Sequence, residues 1–145
     1  MKTHEIIVGL YTRGATWKLS YAQKMSGMEE LCYPIVVNLT RKVDYTLRDV
    51  THYVHFPLSD GRLDSKVVDD VEALADALAV EILHNGRNVL VHCNAGRNRS
   101  GLLAALIVSK VETMTYKEAL EHVRWARPRA VANPHFERYL VKGEL

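Results

Sequence analysis

The stretch NVLVHCNAGRNRSGLL, residues 88–103, places Cys93 six positions before Arg99. Residues 88–92 read as a short, β-branched apolar strand, and Gly101 onward as a helix. A strand that hands a small-residue loop to a helix start makes an anion site. Loop N–H groups point inward, and the unpaired N–H groups of the helix terminus add partial positive charge. Those groups favour Cys93 as a thiolate, the form of cysteine that acts as a nucleophile. Arg99 contributes a planar fork that matches two phosphate oxygens. One loop therefore joins a sulfur nucleophile to a cradle for a tetrahedral oxyanion, with binding groups expected from His92, Asn94, Ala95, Gly96, Arg97 and Asn98. A buried structural cysteine is the alternative, but it leaves two arginines and a glycine beside Cys93 unexplained.

Cys93, Arg99 and Ser100 match C-x5-R-[S/T], and in this the sequence resembles the cysteine-dependent protein tyrosine phosphatases. His92 before the cysteine, Ala95-Gly96 within the loop and Ser100-Gly101 after the arginine resemble the small dual-specificity branch. The resemblance implies a phosphocysteine intermediate on Cys93, with neither cofactor nor metal. It also gives Ser100 the job of donating a hydrogen bond to the departing sulfur, helix capping being its other reading. His92 is expected to order the loop through its ring nitrogens, or to stand as an ordinary strand-end histidine. Residues 125–136, WARPRAVANPHF, resemble the R-P…N-x-x-F region the family carries beside its active site, although Asn133 reads equally as a helix cap.

Transfer of phosphate to sulfur expels an alkoxide or phenoxide, so a positioned acid should protonate the leaving oxygen. Asp60 in FPLSDG follows a strand and precedes a glycine, 33 positions before Cys93. It matches the P-x-x-D loop in which the resembled family carries its general acid, and the same carboxylate could then activate water. The alternative is an Asx turn before Gly61. Asp64 competes for the role, but capping the next helix accounts for it.

The resemblance implies hydrolysis of phosphomonoesters on protein tyrosine, with serine and threonine also admitted. Its partners are then phosphorylated proteins or peptides, with phosphate- or sulfate-type anions in the loop. Arg97 departs toward phosphoinositide phosphatases, and Asn98 toward RNA 5′-triphosphatases of the cysteine type. A phosphate-binding module without turnover predicts loss of Cys93, Arg99 or Asp60, yet all three are present. A rhodanese-like sulfur carrier or arsenate reductase fits neither Asp60 nor the R-P…N-P-x-F tail.

These side chains need a scaffold. At 145 residues, 48% hydrophobic and 25% charged, the chain is expected to form one soluble domain over residues 1–145. No apolar run approaches 18 residues, and the start MKTHEIIVGLYTRG lacks the apolar core of a secretory signal. A cytoplasmic protein without a membrane span is expected. A net charge of +2 is too small to argue for nucleic acid. Arg124, Arg127, Arg129 and Arg138 read either as a basic rim steering anions or as a solvated helix face. Cys32 is expected to be a buried small hydrophobe, with a resolving partner for Cys93 as the sharper alternative.

Strands are expected at residues 5–10, 35–39, 52–56 and 88–92, with 11–14 as a polar break and 41–49 as a turn. Residues 17–25 read as a short helix or a packed loop, and 27–31 as a helical turn. Asp64 or Ser65 should cap a helix to His84, with Gly86 ending it. Further helices are expected over 101–111, from the Thr115-x-x-Glu118 capping box to about Ala126, and from Asn133-Pro134 to about Val141. His52 and His55 fall on opposite faces of a strand, which argues against a metal site. The alternation implies a compact α/β fold, a mainly parallel sheet of four to five strands flanked by helices, with ligand beyond the strands' carboxyl ends.

Overall fold

The computed structural model describes residues 3–48 and 52–145. Their strands are β1 (His4–Ile7), β2 (Leu10–Arg13), β3 (Ile35–Asn38), β4 (Tyr53–His55) and β5 (Val89–His92). The helices are α1 (Tyr21–Glu30), α2 (Tyr45–Arg48), α3 (Ser65–Asn85), α4 (Arg99–Glu112), α5 (Tyr116–Ala126) and α6 (Pro134–Lys142). The strands form a single sheet in the order β1-β2-β5-β3-β4, parallel except for the β1–β2 pair. This is the mainly parallel α/β architecture expected from the alternation.

β5 is central because its side chains are apolar on both faces. Val89 and Val91 join the larger core with Leu102 and Ile107 of α4, while Leu90 meets Met28 of α1 and Leu47 of α2 on the other side. Residues 100–108 of α4 are all buried. The parallel strands deliver the loops after β2, β3, β4 and β5 to one edge of the sheet, and the chemistry gathers there.

Several elements differ from expectation. The run EIIVGL is split, since Gly9 at φ +94° turns the chain and Leu10–Arg13 becomes β2 beside β5. Residues 21–30 form one helix opened by a Ser20–Gln23 capping box. Its apolar periodicity is weak because its buried residues are Lys24 and Met28. Tyr21 is largely exposed and stands outside the core. Part of the expected turn over 41–49 is the short helix α2, anchored by buried Leu47; Asp49 lies outside the described residues.

Lys24 explains why α1 docks where it does. Its ammonium meets the Asp44 carboxylate at 3.0 Å, and the Thr16 hydroxyl donates to the same carboxylate at 2.6 Å. Burial pushes the Asp44 pKa up, but the Thr16 and Lys24 contacts outweigh it and hold the carboxyl below its ordinary value. The pair fixes the loop after β3 against the loop after β2.

Cys32 is exposed, at φ 54°, not a buried hydrophobe. It precedes β3, whose Ile35 lies beside Val89, so it sits at the opposite end of the sheet from Cys93 and is not placed as its resolving partner. His52 and His55 border one surface cleft despite their strand spacing, because His52 precedes the edge strand β4. His55 Nε2 is engaged by the Thr40 carbonyl at 2.6 Å. Among the described residues no group of three or more His, Cys, Asp or Glu gathers as for a metal, and no helix is long and apolar enough to cross a membrane.

Candidate active site

Residues 93–98 connect β5 to α4, and their carbonyls are drawn outward. The Asn94 carbonyl accepts from Ala15 N–H at 3.0 Å and the Ala95 carbonyl from Arg127 Nη2 at 2.7 Å. The Arg97 carbonyl accepts from Gly101 and Val131 N–H groups. No N–H of residues 94–98 donates to another backbone group among the described residues. The result is a ring of donors without backbone acceptors, at a helix start whose cap makes no side-chain bond. Gly96 permits the turn: its φ is +67°, and a Cβ there would lie 2.7 Å from the Arg13 carbonyl carbon.

α4 begins at Arg99, two residues earlier than expected, so Arg99 and Ser100 lie in its first turn. The Cys93 thiol is buried, and its Sγ lies 3.4 Å from Ser100 Oγ. Ser100 is thus joined to the sulfur and does not cap α4. Arg99 Nη1 donates to the Leu58 carbonyl at 3.3 Å, bracing the loop after β4, while its Nε has no partner among the described residues.

That braced loop carries Asp60. One carboxylate oxygen accepts from Asn98 Nδ2 at 3.1 Å, and the other from Asn133 Nδ2 at 2.8 Å. Asp64 caps α3 through the Val67 N–H, so the alternative acid has a structural job. Asp60 and Arg99 border one cleft of about 410 Å³ with Asn94, Ser59, Trp17 and Lys42. The Lys42 ammonium stands 5.0 Å from the Trp17 ring centroid, making the wall beside the loop cationic.

The remaining predicted site residues divide. Ala95 and Gly96 bring only backbone polar groups to the loop. The Asn98 side chain is spent on Asp60 and the residues 132–133 backbone, and its N–H has no backbone acceptor among the described residues. Arg97 is exposed and borders a separate depression with Arg124, Arg129 and Glu137, outside the Trp17 cleft. Arg124 is tied to Glu137 at 2.6 Å and to the Ala130 and Val131 carbonyls, so it is a structural brace rather than a free rim charge. Sequence reading missed the Arg127 contact to the loop, the Asn98–Asp60 bond and the Trp17–Lys42 wall. Only the R-P segment containing Arg127 gave a signal for any of them.

His92 is fully buried and meets Trp17 edge-on, with centroids 6.4 Å apart. Among the described residues neither ring nitrogen has a partner, so no ring hydrogen bond of His92 is seen to order the loop as expected. Burial, with Arg13 beside it, pushes the imidazole down to about 4 from 6.5. Between those values the unfolded chain binds the extra proton, so stability rises with pH through that window. We expect the unfolding free energy to fall by about 2 kcal/mol from pH 7 to pH 5, and His92→Gln to remove most of that slope. Asp44 is silent there, since its depressed carboxyl loses its contribution only below about pH 4. Urea titrations at both pH values decide the matter: the same slope in His92→Gln places its origin elsewhere.

Residues 18–144 match the family described as dual specificity phosphatase, catalytic domain. The putative tyrosine phosphatase 197R of Invertebrate iridescent virus 6 is 23% identical over 125 residues, 86% of this chain and 47% of that protein. The phosphatidylglycerophosphate phosphatase PTPMT2 of Arabidopsis thaliana is 33% identical over 94 residues, 62% of this chain and 38% of its own length. The chain thus spans less than half of these curated relatives. Among solved structures, the Cydia pomonella PTP-2 phosphatase superposes with a TM-score of 0.81 at 22% identity, covering 97% of this chain and 88% of that one. A mouse putative dual specificity phosphatase gives 0.78 at 20% identity over 97% and 84%. The fold is the same in each, and with the family match over residues 18–144 it places this chain in the dual specificity phosphatase catalytic-domain family.

Proposed function

We propose that the chain hydrolyses phosphomonoesters on tyrosine, and also on serine and threonine, of phosphorylated proteins or peptides through a phosphocysteine on Cys93. The observation that carries this reading is the loop of unpaired N–H groups around Cys93, with Arg99 at its end and Asp60 bonded to its Asn98. In the first step Cys93 Sγ attacks phosphorus and the bond to the leaving oxygen breaks, that oxygen taking the proton of Asp60. In the second, water attacks the phosphocysteine, its proton passes to the Asp60 carboxylate, and sulfur departs as a thiolate hydrogen-bonded by Ser100. The loop N–H groups and Arg99 hold the three equatorial oxygens throughout. A reducing compartment such as the cytoplasm suits a chain whose two cysteines are both free.

A non-protein phosphate is the second reading, either a phosphoinositide or an RNA 5′-triphosphate. The lipid form is favoured by the 33% identity to a phosphatidylglycerophosphate phosphatase and by Arg97 at the loop's outer rim. Steady-state kcat/KM on phosphotyrosine peptides, inositol lipids and triphosphorylated RNA decides between them. The protein reading requires the peptides to lead by about tenfold or more, a difference of about 1.4 kcal/mol in transition-state binding. Sulfur transfer without phosphate release would retire both.

A further inference from the structure

We propose that Asn98 is a positioning residue for Asp60, tying the proton donor to the anion loop through a side-chain amide. The proposal rests on the proton-donor role given to Asp60 above. The Asn98 carbonyl oxygen accepts from the Ala132 and Asn133 N–H groups at 2.8 and 3.1 Å. That fixes which end of the amide is which, so its NH2 must face Asp60, 3.1 Å away. Asn133 completes the clamp: its NH2 donates to the second Asp60 oxygen and to the Gly61 carbonyl, while its own oxygen caps α6. Asn98 occupies the cap position of α4, where an asparagine ordinarily satisfies the helix's own N–H groups. Here it makes no such bond. The amide is directed away from the helix to the acid, and the helix start is left with its donors free for an anion.

Asp60 itself is exposed, on a loop without helix or strand. Without the clamp its carboxylate would sample several rotamers, and a displacement of about 1 Å from a productive position can reduce a rate about 100-fold. Because Asn98 is bonded into the loop next to Arg99, the cradle and the acid keep one spacing.

Asn98→Ala tests this against two aryl phosphates, one with a poor and one with a good leaving group. We expect kcat/KM, which reports the transfer to sulfur alone, to fall about 10- to 100-fold on phenyl phosphate and several-fold less on 2,4-dinitrophenyl phosphate, whose leaving group needs little protonation. In an Asp60→Asn background the same change should add less than about twofold, because the partner it positions is already lost. Asn98→Asp serves as the second variant. It keeps the acceptor that holds residues 132–133 and sets a second carboxylate against Asp60; its charge at the loop burdens both substrates, while its effect on the Asp60 proton burdens phenyl phosphate alone. The ratio of the two rates is therefore the readout. Equal losses on both substrates, or additive losses with Asp60→Asn, would overturn the proposal. If Asp60→Asn shows no leaving-group dependence, the proton-donor role falls instead. Backbone hydrogen exchange over residues 58–61 then reads the clamp without turnover: faster exchange in Asn98→Ala sustains it, and unchanged exchange refutes it.

Discussion

Cys93→Ser is expected to abolish turnover while the loop still binds phosphate. A serine hydroxyl has nearly the shape of the thiol, yet it stays protonated at neutral pH where a thiolate is available to cysteine. Loss of the nucleophile should lower kcat by about 10⁴-fold or more. The proposed binding groups are not touched. They are the backbone of residues 94–98, set by Gly96 and by carbonyl contacts to Ala15, Arg127 and Val131, together with Arg99. Calorimetry with inorganic phosphate or vanadate should therefore give a dissociation constant within a few-fold of the parent. Turnover retained by Cys93→Ser would eliminate the phosphocysteine route. Loss of anion binding along with turnover would show that the substitution had collapsed the loop and that the sulfur is part of its framework.

Asp60→Asn is expected to lower kcat by about 10²- to 10⁴-fold on alkyl phosphates, and least on substrates with good leaving groups. The substitution preserves volume but removes the transferable proton. It also carries a structural effect. Both Asp60 oxygens accept from amide NH2 groups, those of Asn98 and Asn133, so an asparagine must turn its own NH2 against one of them. One arm of the clamp is then lost, a cost of about 1–3 kcal/mol for a hydrogen bond to a charged group. That loss is common to every substrate, whereas the missing proton is felt in proportion to leaving-group basicity. A plot of log kcat/KM, which stops at the transfer to Cys93, against leaving-group pKa separates the two. A parallel drop across the series would leave Asp60 structural and return attention to Asp64, even though Asp64 is already bonded to the Val67 N–H.

The basic surface divides by partner. Arg124 is spent on Glu137 and two carbonyls, and Arg127 on the Ala95 carbonyl. Partial burial and the nearby Arg97 lower the Arg127 pKa, with Cys93 opposing them. Arg127 thus holds the loop that carries Cys93.

What the sequence alone determined is what neighbours along the chain decide. The C-x5-R spacing, Gly96, the Thr115–Glu118 box and the Asn133-Pro134 start are local patterns, and each controls dihedral angles or caps within a turn or two. The apolar run at Val89–His92 likewise reads as a strand, and only the sheet order makes it the central one. Tertiary structure decided the contacts between distant residues: Asn98 with Asp60 across 38 positions, and Asn133 with Asp60 across 73. It also decided the burial of Lys24 on Asp44 and of His92 among unbonded neighbours. No periodicity records such pairs, because they arise only when parallel strands bring separate loops to one edge of the sheet. Asparagine reads in sequence as a cap or a turn former; its second role depends on what packing places across from its NH2.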